Sequence, residues 1–376
     1  MEKIYLDHAA TTPMHPYVIQ EMTTMMQETF GNPSSIHGFG RIAHEKLETA
    51  RQLIADSLQV NDHEIIFNSG GTEGDNTAIL ETAFSRKKDG NHLITTAIEH
   101  PAVLNTMKYL ETQGFEVTYL PVDEKGNISL TDFDEALSDE TILVSIMFGN
   151  NEIGNLMPIK EIGERLREHP AYFHTDAVQA YGNQTIHPRE LGVDLLSISA
   201  HKINGPKGVG FLYKKDGINI PSLLLGGEQE EKRRAGTENL SGIWGMAQAV
   251  KLLTAEEREA RSEKYAGFQE LILNTLEKEG ISYQVNGDLN NKLPHVLNLR
   301  LPGVSNDLLL MKLDLNGIAI STGSACTAGN IEPSHVLEAM YGKDTPILKE
   351  SIRISFGYGN TKEEVQRFLD VLIQSI

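Results

Sequence analysis

The sequence predicts an α/β protein with a mostly parallel β-sheet flanked by helices, followed by a smaller α+β unit. Short apolar strand candidates alternate with helical stretches through the first half of the chain, a pattern typical of parallel sheets. Polar clusters follow these strands, where ligands gather in such folds. The length of 376 residues indicates more than one domain. We expect residues 15–255 to form a large domain, and residues 1–14 with 256–376 a small one.

Apolar periodicity and turn formers set the expected elements. In the first half, helices are expected at 16–29, 43–58, 72–86, 101–113, 131–137 and 158–168, and strands at 64–67, 92–95, 116–120, 141–148 and 172–174. Apolar runs at 193–198 and 209–213 and a long amphipathic helix at 240–279 follow. The smaller unit has expected strands at 295–301, 318–321 and 351–356, and helices at 305–315, 333–340 and 361–375.

The composition argues against several classes of protein. A formal net charge of −19 disfavours tight binding of nucleic acid by the surface as a whole. The single cysteine, Cys326, excludes an intrachain disulfide. The N-terminus lacks the apolar core of a signal peptide, and no apolar run reaches membrane-spanning length. We therefore expect a soluble, cytoplasmic protein.

The stretch from Ser197 to Gly208 joins two apolar runs and carries Ser199, His201 and Lys202. A strand that ends in hydroxyls, an imidazole and lysines is typical of a site at a strand end. We predict that Lys202 carries a cofactor as a Schiff base. The alternative is a polar hairpin loop between two buried strands.

Two further strand ends carry groups that suit an anionic, nitrogen-containing cofactor. Thr72 follows Gly70 and Gly71 at a predicted helix start, which favours an anion site or simply an N-cap. Asp176 directly follows a strand, so it either pairs with a protonated pyridine nitrogen or caps the next helix.

His100 also follows a strand, where it either stacks on a flat ring and moves protons or is an ordinary loop histidine. Other histidines near strand ends raise the question of zinc. No His-x-x-x-His or Cys-x-x-Cys spacing occurs, so we expect no metal site.

The second half of the chain carries two candidate reactive side chains. Cys326 lies among small residues, in a setting that favours an exposed nucleophilic thiol over a buried one. Arg353 alternates with apolar strand residues, where it needs an anionic partner. That partner is either a substrate carboxylate or an acidic residue of the protein.

Together these segments resemble the class I cysteine desulfurases, the NifS/IscS-like group of fold-type I pyridoxal phosphate enzymes. The similarity spans nearly the whole chain, and its specificity lies in the order and spacing of individually weak motifs. The motifs are Tyr5–Pro13, Gly31–Ser35, Gly70–Glu73, Glu99–Pro101, Asn150–Gly154, His174–Gln179, Ser199–Lys202, Gly205–Gly208, Arg234–Asn239 and Gly323–Cys326.

The resemblance implies a role for each matching residue. Lys202 would bind pyridoxal 5'-phosphate covalently, and Cys326 would accept the sulfur of L-cysteine as a persulfide, leaving L-alanine. The other implied roles belong to His100 (ring stacking), Asp176 (pyridine nitrogen), Gln179 (ring hydroxyl), Gly71, Thr72, Ser199 and His201 (phosphate), Thr237 (phosphate of the neighbouring subunit), and Asn151 with Arg353 (substrate carboxylate).

The resemblance also implies a homodimer that passes sulfur to an acceptor protein, either an iron–sulfur scaffold or a tRNA thiolase. The chain ends at Ile376, right after its last predicted helix, whereas scaffold-docking members carry a further extension. We therefore expect a tRNA-thiolating enzyme to be at least as plausible a sulfur acceptor as an iron–sulfur scaffold. The alternative activities on the same fold are selenocysteine lyase and aminotransferase. Gly71, Gly74 and Asp75 depart from common family residues without removing an implied role, and Tyr358 stands where an arginine is frequent.

Overall fold

The computed structural model describes residues 3–323 and 333–376. The strands among them are β1 (Ile4–Tyr5), β2 (Ile65–Asn68), β3 (His92–Thr96), β4 (Glu116–Leu120), β5 (Thr141–Ser145), β6 (Tyr172–Asp176), β7 (Leu195–Ser199), β8 (Gly210–Lys214), β9 (Gln284–Asn286), β10 (Val296–Arg300), β11 (Ile318–Ala319) and β12 (Ser351–Ser355).

The helices of the described residues are α1 (Pro16–Glu28), α2 (Gly38–Leu58), α3 (Gly71–Ser85), α4 (Pro101–Thr112), α5 (Leu130–Ala136), α6 (Ile159–Arg165), α7 (Gln229–Lys232), α8 (Leu240–Lys251), α9 (Ala255–Lys278), α10 (Asn306–Leu315), α11 (His335–Tyr341), α12 (Ile347–Glu350) and α13 (Lys362–Ser375). Short 3-10 helices span Asp62–Glu64 and Ala200–Lys202.

The main sheet has the order β2-β8-β7-β6-β5-β3-β4 within the described part of the chain. Neighbours from β7 to β4 run parallel, whereas β8 is antiparallel to both β2 and β7. Strands β2, β3, β5, β6 and β7 therefore end at the same edge of the sheet. This edge collects the polar loops that the sequence placed after each strand, and the predicted mostly parallel α/β fold is confirmed.

A smaller antiparallel sheet has the order β12-β10-β9, and β1 pairs in parallel with β11. Ile4 and Leu6 from the N-terminus are buried in an apolar cluster whose other members come from residues 265–372. The extended start of the chain thus packs against the C-terminal half. Its next residues, from Asp7 onward, are carried towards the main sheet, where Thr12 bonds to the His201 carbonyl oxygen.

Most element boundaries lie within a few residues of those expected, and local caps explain several of them. Thr361 and Glu364 form a reciprocal capping box at the start of α13. The expected single helix over 240–279 is wrong. It is two helices, because Thr254 adopts an extended conformation and accepts a hydrogen bond from the backbone N–H of Glu257, which starts α9 anew.

Two other expectations need correction. The strand expected over 141–148 ends at Ser145, since the following residues leave the sheet to form the loop that holds Asn151. The helix expected from residue 43 begins earlier, at Gly38, where the His37 ring accepts a hydrogen bond from the N–H of Gly40.

Candidate active site

A cavity of about 340 Å³ lies at the edge where the parallel strands end, within the size range of small-molecule sites. Most predicted site residues line it, although they are scattered over much of the chain. The predicted residues in its wall are Gly71, Thr72, His100, Asn151, Asp176, Gln179, Ser199, His201, Lys202 and Arg353.

Lys202 lies at the end of the 3-10 helix that follows β7. Its Nζ donates hydrogen bonds to the carbonyl oxygens of Ala9, at 2.5 Å, and Ala10, at 2.7 Å. Because both carbonyls belong to the N-terminal segment, this segment forms part of the cavity wall. The stretch is also the connection between antiparallel strands β7 and β8, so the hairpin and the lysine site coincide.

Asp176 ends β6 and is buried. Its Oδ1 accepts a hydrogen bond of 2.9 Å from the N–H of Val178. The residues that follow form turns, so its alternative role as a helix cap is wrong. Burial raises the pKa of Asp176, whereas His100, the Val178 N–H and Lys202 lower it.

Asp75 contributes a second buried carboxyl group close to Asp176. Ligand atoms of Asp75, His100 and Asp176 lie within 4.8 Å of one another, and burial followed by the charge of Asp176 raises the pKa of Asp75. Asp75 Oδ1 has no hydrogen-bond partner among the described residues. Two crowded carboxyls favour a cationic partner, and the protonated ring nitrogen of pyridoxal phosphate fits this requirement.

His100 caps helix α4, and its Nδ1 accepts a hydrogen bond from the N–H of Ala102 at 3.1 Å. In the neutral ring, the proton therefore lies on Nε2. Burial lowers the pKa of His100, which favours this neutral form. The ordinary capping role and a position in the cavity wall occur together in this residue.

The start of α3 supplies backbone donors beside hydroxyl and imidazole side chains. Gly70 caps this helix with φ at +141°, so the expectation that Thr72 is the cap is wrong, and Thr72 lies in the first turn. A Cβ atom at Gly71 would lie 2.8 Å from Val178 Cγ2, which accounts for glycine at this position. Helix N–H groups with nearby Ser199 suit a phosphate.

His201 lies at the same end of the cavity. Its Nδ1 is 3.1 Å from Thr11 Oγ1. Burial and the neighbouring Lys202 lower its pKa to about 4, so the ring is neutral near pH 7. A neutral imidazole and hydroxyl groups would bind a phosphate as hydrogen-bond partners rather than as counter-ions.

Arg353 is almost completely buried in β12. Its Nη2 lies 2.7 Å from Asp7 Oδ1, and Nη1 donates to the carbonyl oxygens of Asn151 and Gly323 at 3.1 Å each. The acidic partner within the protein therefore exists. The Nε of Arg353 has no hydrogen-bond partner among the described residues, so the guanidinium keeps a donor that no described group uses.

Two predicted residues are not brought into the cavity wall. Thr237 lies in a separate surface cleft with Phe30 and Asn32. Cys326 lies outside the described residues. The chain on either side of that segment, at Gly323 and His335, does line the cavity.

Sequence reasoning missed Asp7, Asp75, Glu152 and His335, which contribute to the site or hold its parts. Asp75 follows Gly71 by one helical turn, a spacing that could have indicated a shared face. Glu152 contacts Ser334 across 182 positions of sequence, and no local pattern predicts such a pair. In the described residues, no helix is both long and apolar enough to cross a membrane.

Comparison with known proteins gives a consistent result. The family model for class-V aminotransferases matches residues 4–368. The chain is 55% identical to the putative cysteine desulfurase IscS 1 of Bacillus subtilis, over 97% of this chain and 96% of that protein. It is 45% identical to the cysteine desulfurase IscS of Clostridium botulinum, over 99% and 94% of the two chains.

Solved structures agree with these sequence relatives. A NifS-like protein superposes with a TM-score of 0.93 at 36% identity, covering 99% of each chain. A structure described as SspA in complex with cysteine gives a TM-score of 0.83 at 36% identity, covering 94% of this chain and 99% of that one. The resemblance inferred from the motifs is confirmed. The chain belongs to the class-V aminotransferase family.

Proposed function

We propose that this protein is a pyridoxal phosphate-dependent cysteine desulfurase that converts L-cysteine to L-alanine and passes the sulfur to an acceptor protein. One observation carries the proposal. A single cavity brings together Lys202, Asp176, His100 and Arg353, which come from separate parts of the chain. They supply an amine, a buried carboxylate, a neutral imidazole and a guanidinium, as this reaction requires.

The cavity residues match the chemical groups of the cofactor from its ring to its phosphate. Lys202 would attach it, Asp176 would face its ring nitrogen, Gln179 would contact its ring hydroxyl, and His100 would stack on the ring. Gly71, Thr72, Ser199 and His201 would hold its phosphate. When bound, pyridoxal phosphate supplies an electron sink that makes bonds at the substrate Cα labile.

The chain itself supplies proton transfer and substrate positioning. Lys202 would move the proton at the substrate Cα once its amine is released, and the neutral ring of His100 would carry a proton at Nε2. Arg353, which lines the cavity with Asn151, would orient the substrate carboxylate. Cys326 would take the substrate sulfur as a persulfide and deliver it to the acceptor.

We also propose a homodimer in which Thr237 reaches the phosphate site of the neighbouring subunit. The support is a set of exposed apolar side chains around its cleft. Phe30 and Met26, which line the cleft with Thr237, are 75% and 57% exposed. Large apolar side chains grouped on a surface are typical of protein interfaces.

We further propose that the sulfur acceptor is an iron–sulfur scaffold or a tRNA thiolase, and that the protein is cytoplasmic. We also retain the division into residues 15–255 and residues 1–14 with 256–376. What supports it is the packing of Ile4 and Leu6 in an apolar cluster with residues 265–372.

The test is to supply the purified protein with pyridoxal phosphate, L-cysteine and a dithiol that reduces the persulfide to sulfide, and to measure alanine, sulfide and keto acid. Equal amounts of alanine and sulfide are expected from wild type and none from Lys202→Ala. Lys207→Ala, which removes a neighbouring lysine of the same loop, is the matched control. Keto acid without sulfide would indicate an aminotransferase, and turnover of selenocysteine alone a selenocysteine lyase; either result would overturn the proposal.

A further inference from the structure

A chain of hydrogen bonds runs from His295 to Lys202 behind the cavity. His295 Nε2 lies 3.2 Å from Gln179 Oε1. The amide nitrogen Nε2 of Gln179 donates to the carbonyl oxygen of Ala9 at 2.9 Å. The same carbonyl oxygen accepts from Lys202 Nζ at 2.5 Å. Gln179 lines the cavity, whereas His295 does not.

Ala9 determines which way the Gln179 amide faces. A carbonyl oxygen can only accept, so it selects the NH₂ group of the amide and turns Oε1 towards His295. The imidazole must then donate from Nε2, since two acceptors would otherwise face each other at 3.2 Å. This tautomer leaves His295 Nδ1 as a lone pair, and Nδ1 indeed has no hydrogen-bond partner among the described residues.

We infer that His295 is a positioning residue that, together with the Ala9 carbonyl, holds the Gln179 amide in place, so that the NH₂ group, and never the oxygen, faces the cavity. This inference rests on the proposed function, because the group that Gln179 meets there is the ring hydroxyl of the cofactor. The Gln179 amide has a second hydrogen beyond the one given to Ala9. That hydrogen is the donor that His295 preserves.

The surroundings keep His295 in this role. The ring is buried, and its cationic neighbours are Lys202, Lys292 and Arg353, with His8 also nearby. Burial, followed by these groups, lowers the pKa of His295 to about 3. The ring is therefore neutral at physiological pH and does not switch its hydrogen bonding as pH changes.

Removing the imidazole leaves Gln179 Oε1 buried without a donor, which is unfavourable. Among the described residues, the amide is then held by the Ala9 carbonyl alone and can swing out of its place to find another donor for Oε1, so that the cofactor's ring oxygen loses its N–H donor. The test compares wild type, His295→Leu and His295→Gln as holoenzymes. The glutamine amide can donate from nearly the position of the imidazole Nε2. His92→Leu is the matched control, because His92 begins β3, at the edge of the sheet opposite the cavity, where its ring bonds to Thr118 and Thr141.

Two readouts follow the cofactor rather than turnover: its absorption as a function of pH, and its rate of release from the holoenzyme. For His295→Leu we expect the midpoint of the absorption change to rise by about half to one pH unit, since a donor to the ring oxygen is lost. Release should be about fivefold faster, the equivalent of one ordinary hydrogen bond. His295→Gln should restore both values, and His92→Leu should match wild type.

Wild-type values in His295→Leu would overturn the inference, and so would equal changes in His295→Leu and His92→Leu. If His295→Leu does not fold, His295→Asn replaces it, because its shorter amide does not reach Gln179. It should then behave as expected for the leucine variant, and wild-type behaviour would again overturn the inference. Failure of wild type to take up pyridoxal phosphate would instead overturn the proposed function, which keeps the two failures distinct.

Discussion

Arg353 and Asp7 form an ion pair across the cavity wall, with Nη2 and Oδ1 2.7 Å apart. The two residues are separated by 346 positions in the sequence. The pair joins the N-terminal segment to β12, and both of these parts of the chain help to build the cavity wall. A guanidinium fixed by one carboxylate and two carbonyl oxygens is preorganised to receive a second carboxylate.

Arg353→Lys should raise KM for L-cysteine by about tenfold or more, because an ammonium cannot reproduce the planar set of donors. Cofactor absorption should stay unchanged. The matched control is Arg300→Lys, in the neighbouring strand β10, where Arg300 pairs with Glu350 away from the cavity wall. Steady-state kinetics on both variants would decide the matter, and an unchanged KM in Arg353→Lys would contradict the carboxylate role.

Cys326→Ala should lower alanine and sulfide formation by several orders of magnitude, since the thiolate that accepts the sulfur is gone. The cofactor should still bind, because the cavity residues that hold it are intact. Cys326→Ser, which keeps the size of the side chain, should be equally inactive. Release of sulfide at the wild-type rate from either variant would rule out a persulfide on this residue.

Phe30→Asp should convert a dimer into monomers and weaken retention of the cofactor, because it places a charge among the apolar side chains that line the cleft with Thr237. Phe30 is 75% exposed, so a large loss of monomer stability is not expected. Light scattering and cofactor absorption measure the two effects. Leu315→Asp is the control, as Leu315 is 80% exposed on α10 and lies away from the cleft; dissociation of this variant alone would place the interface elsewhere.

His8→Asn should reduce the loss of stability on acidification. Burial lowers the pKa of His8 to about 4, from 6.5 in the unfolded chain. Below pH 6.5 the unfolded state therefore binds a proton that the folded state does not bind. The free energy of unfolding falls as the pH decreases from 6.5 towards 4. Between pH 7 and pH 5 the decrease in the free energy of unfolding that is due to His8 amounts to as much as about 2 kcal/mol.

Denaturant unfolding at both pH values would measure this difference between wild type and His8→Asn. The control His44→Asn replaces an exposed histidine of α2 and should leave the pH dependence of wild type unchanged. A wild-type loss no greater than that of His8→Asn would contradict the assignment of the effect to His8.

The sequence by itself determined the fold class, the positions of most elements and the identity of many of the groups that meet in the cavity. These are local signals. Caps such as Thr361 with Glu364 act within one helical turn, and alternating apolar runs fix the strands. The motif around Lys202 needs only its neighbours along the chain to indicate a site at a strand end.

The tertiary structure alone decided which groups constrain one another. Asp7 meets Arg353, Asp75 crowds Asp176, and His295 reaches Gln179 over 116 positions. No periodicity encodes such pairs, because they depend on how the strand ends converge and on which backbone carbonyls, such as that of Ala9, face inward. Sequence could name the reactive side chains, whereas burial and contact set their protonation and orientation.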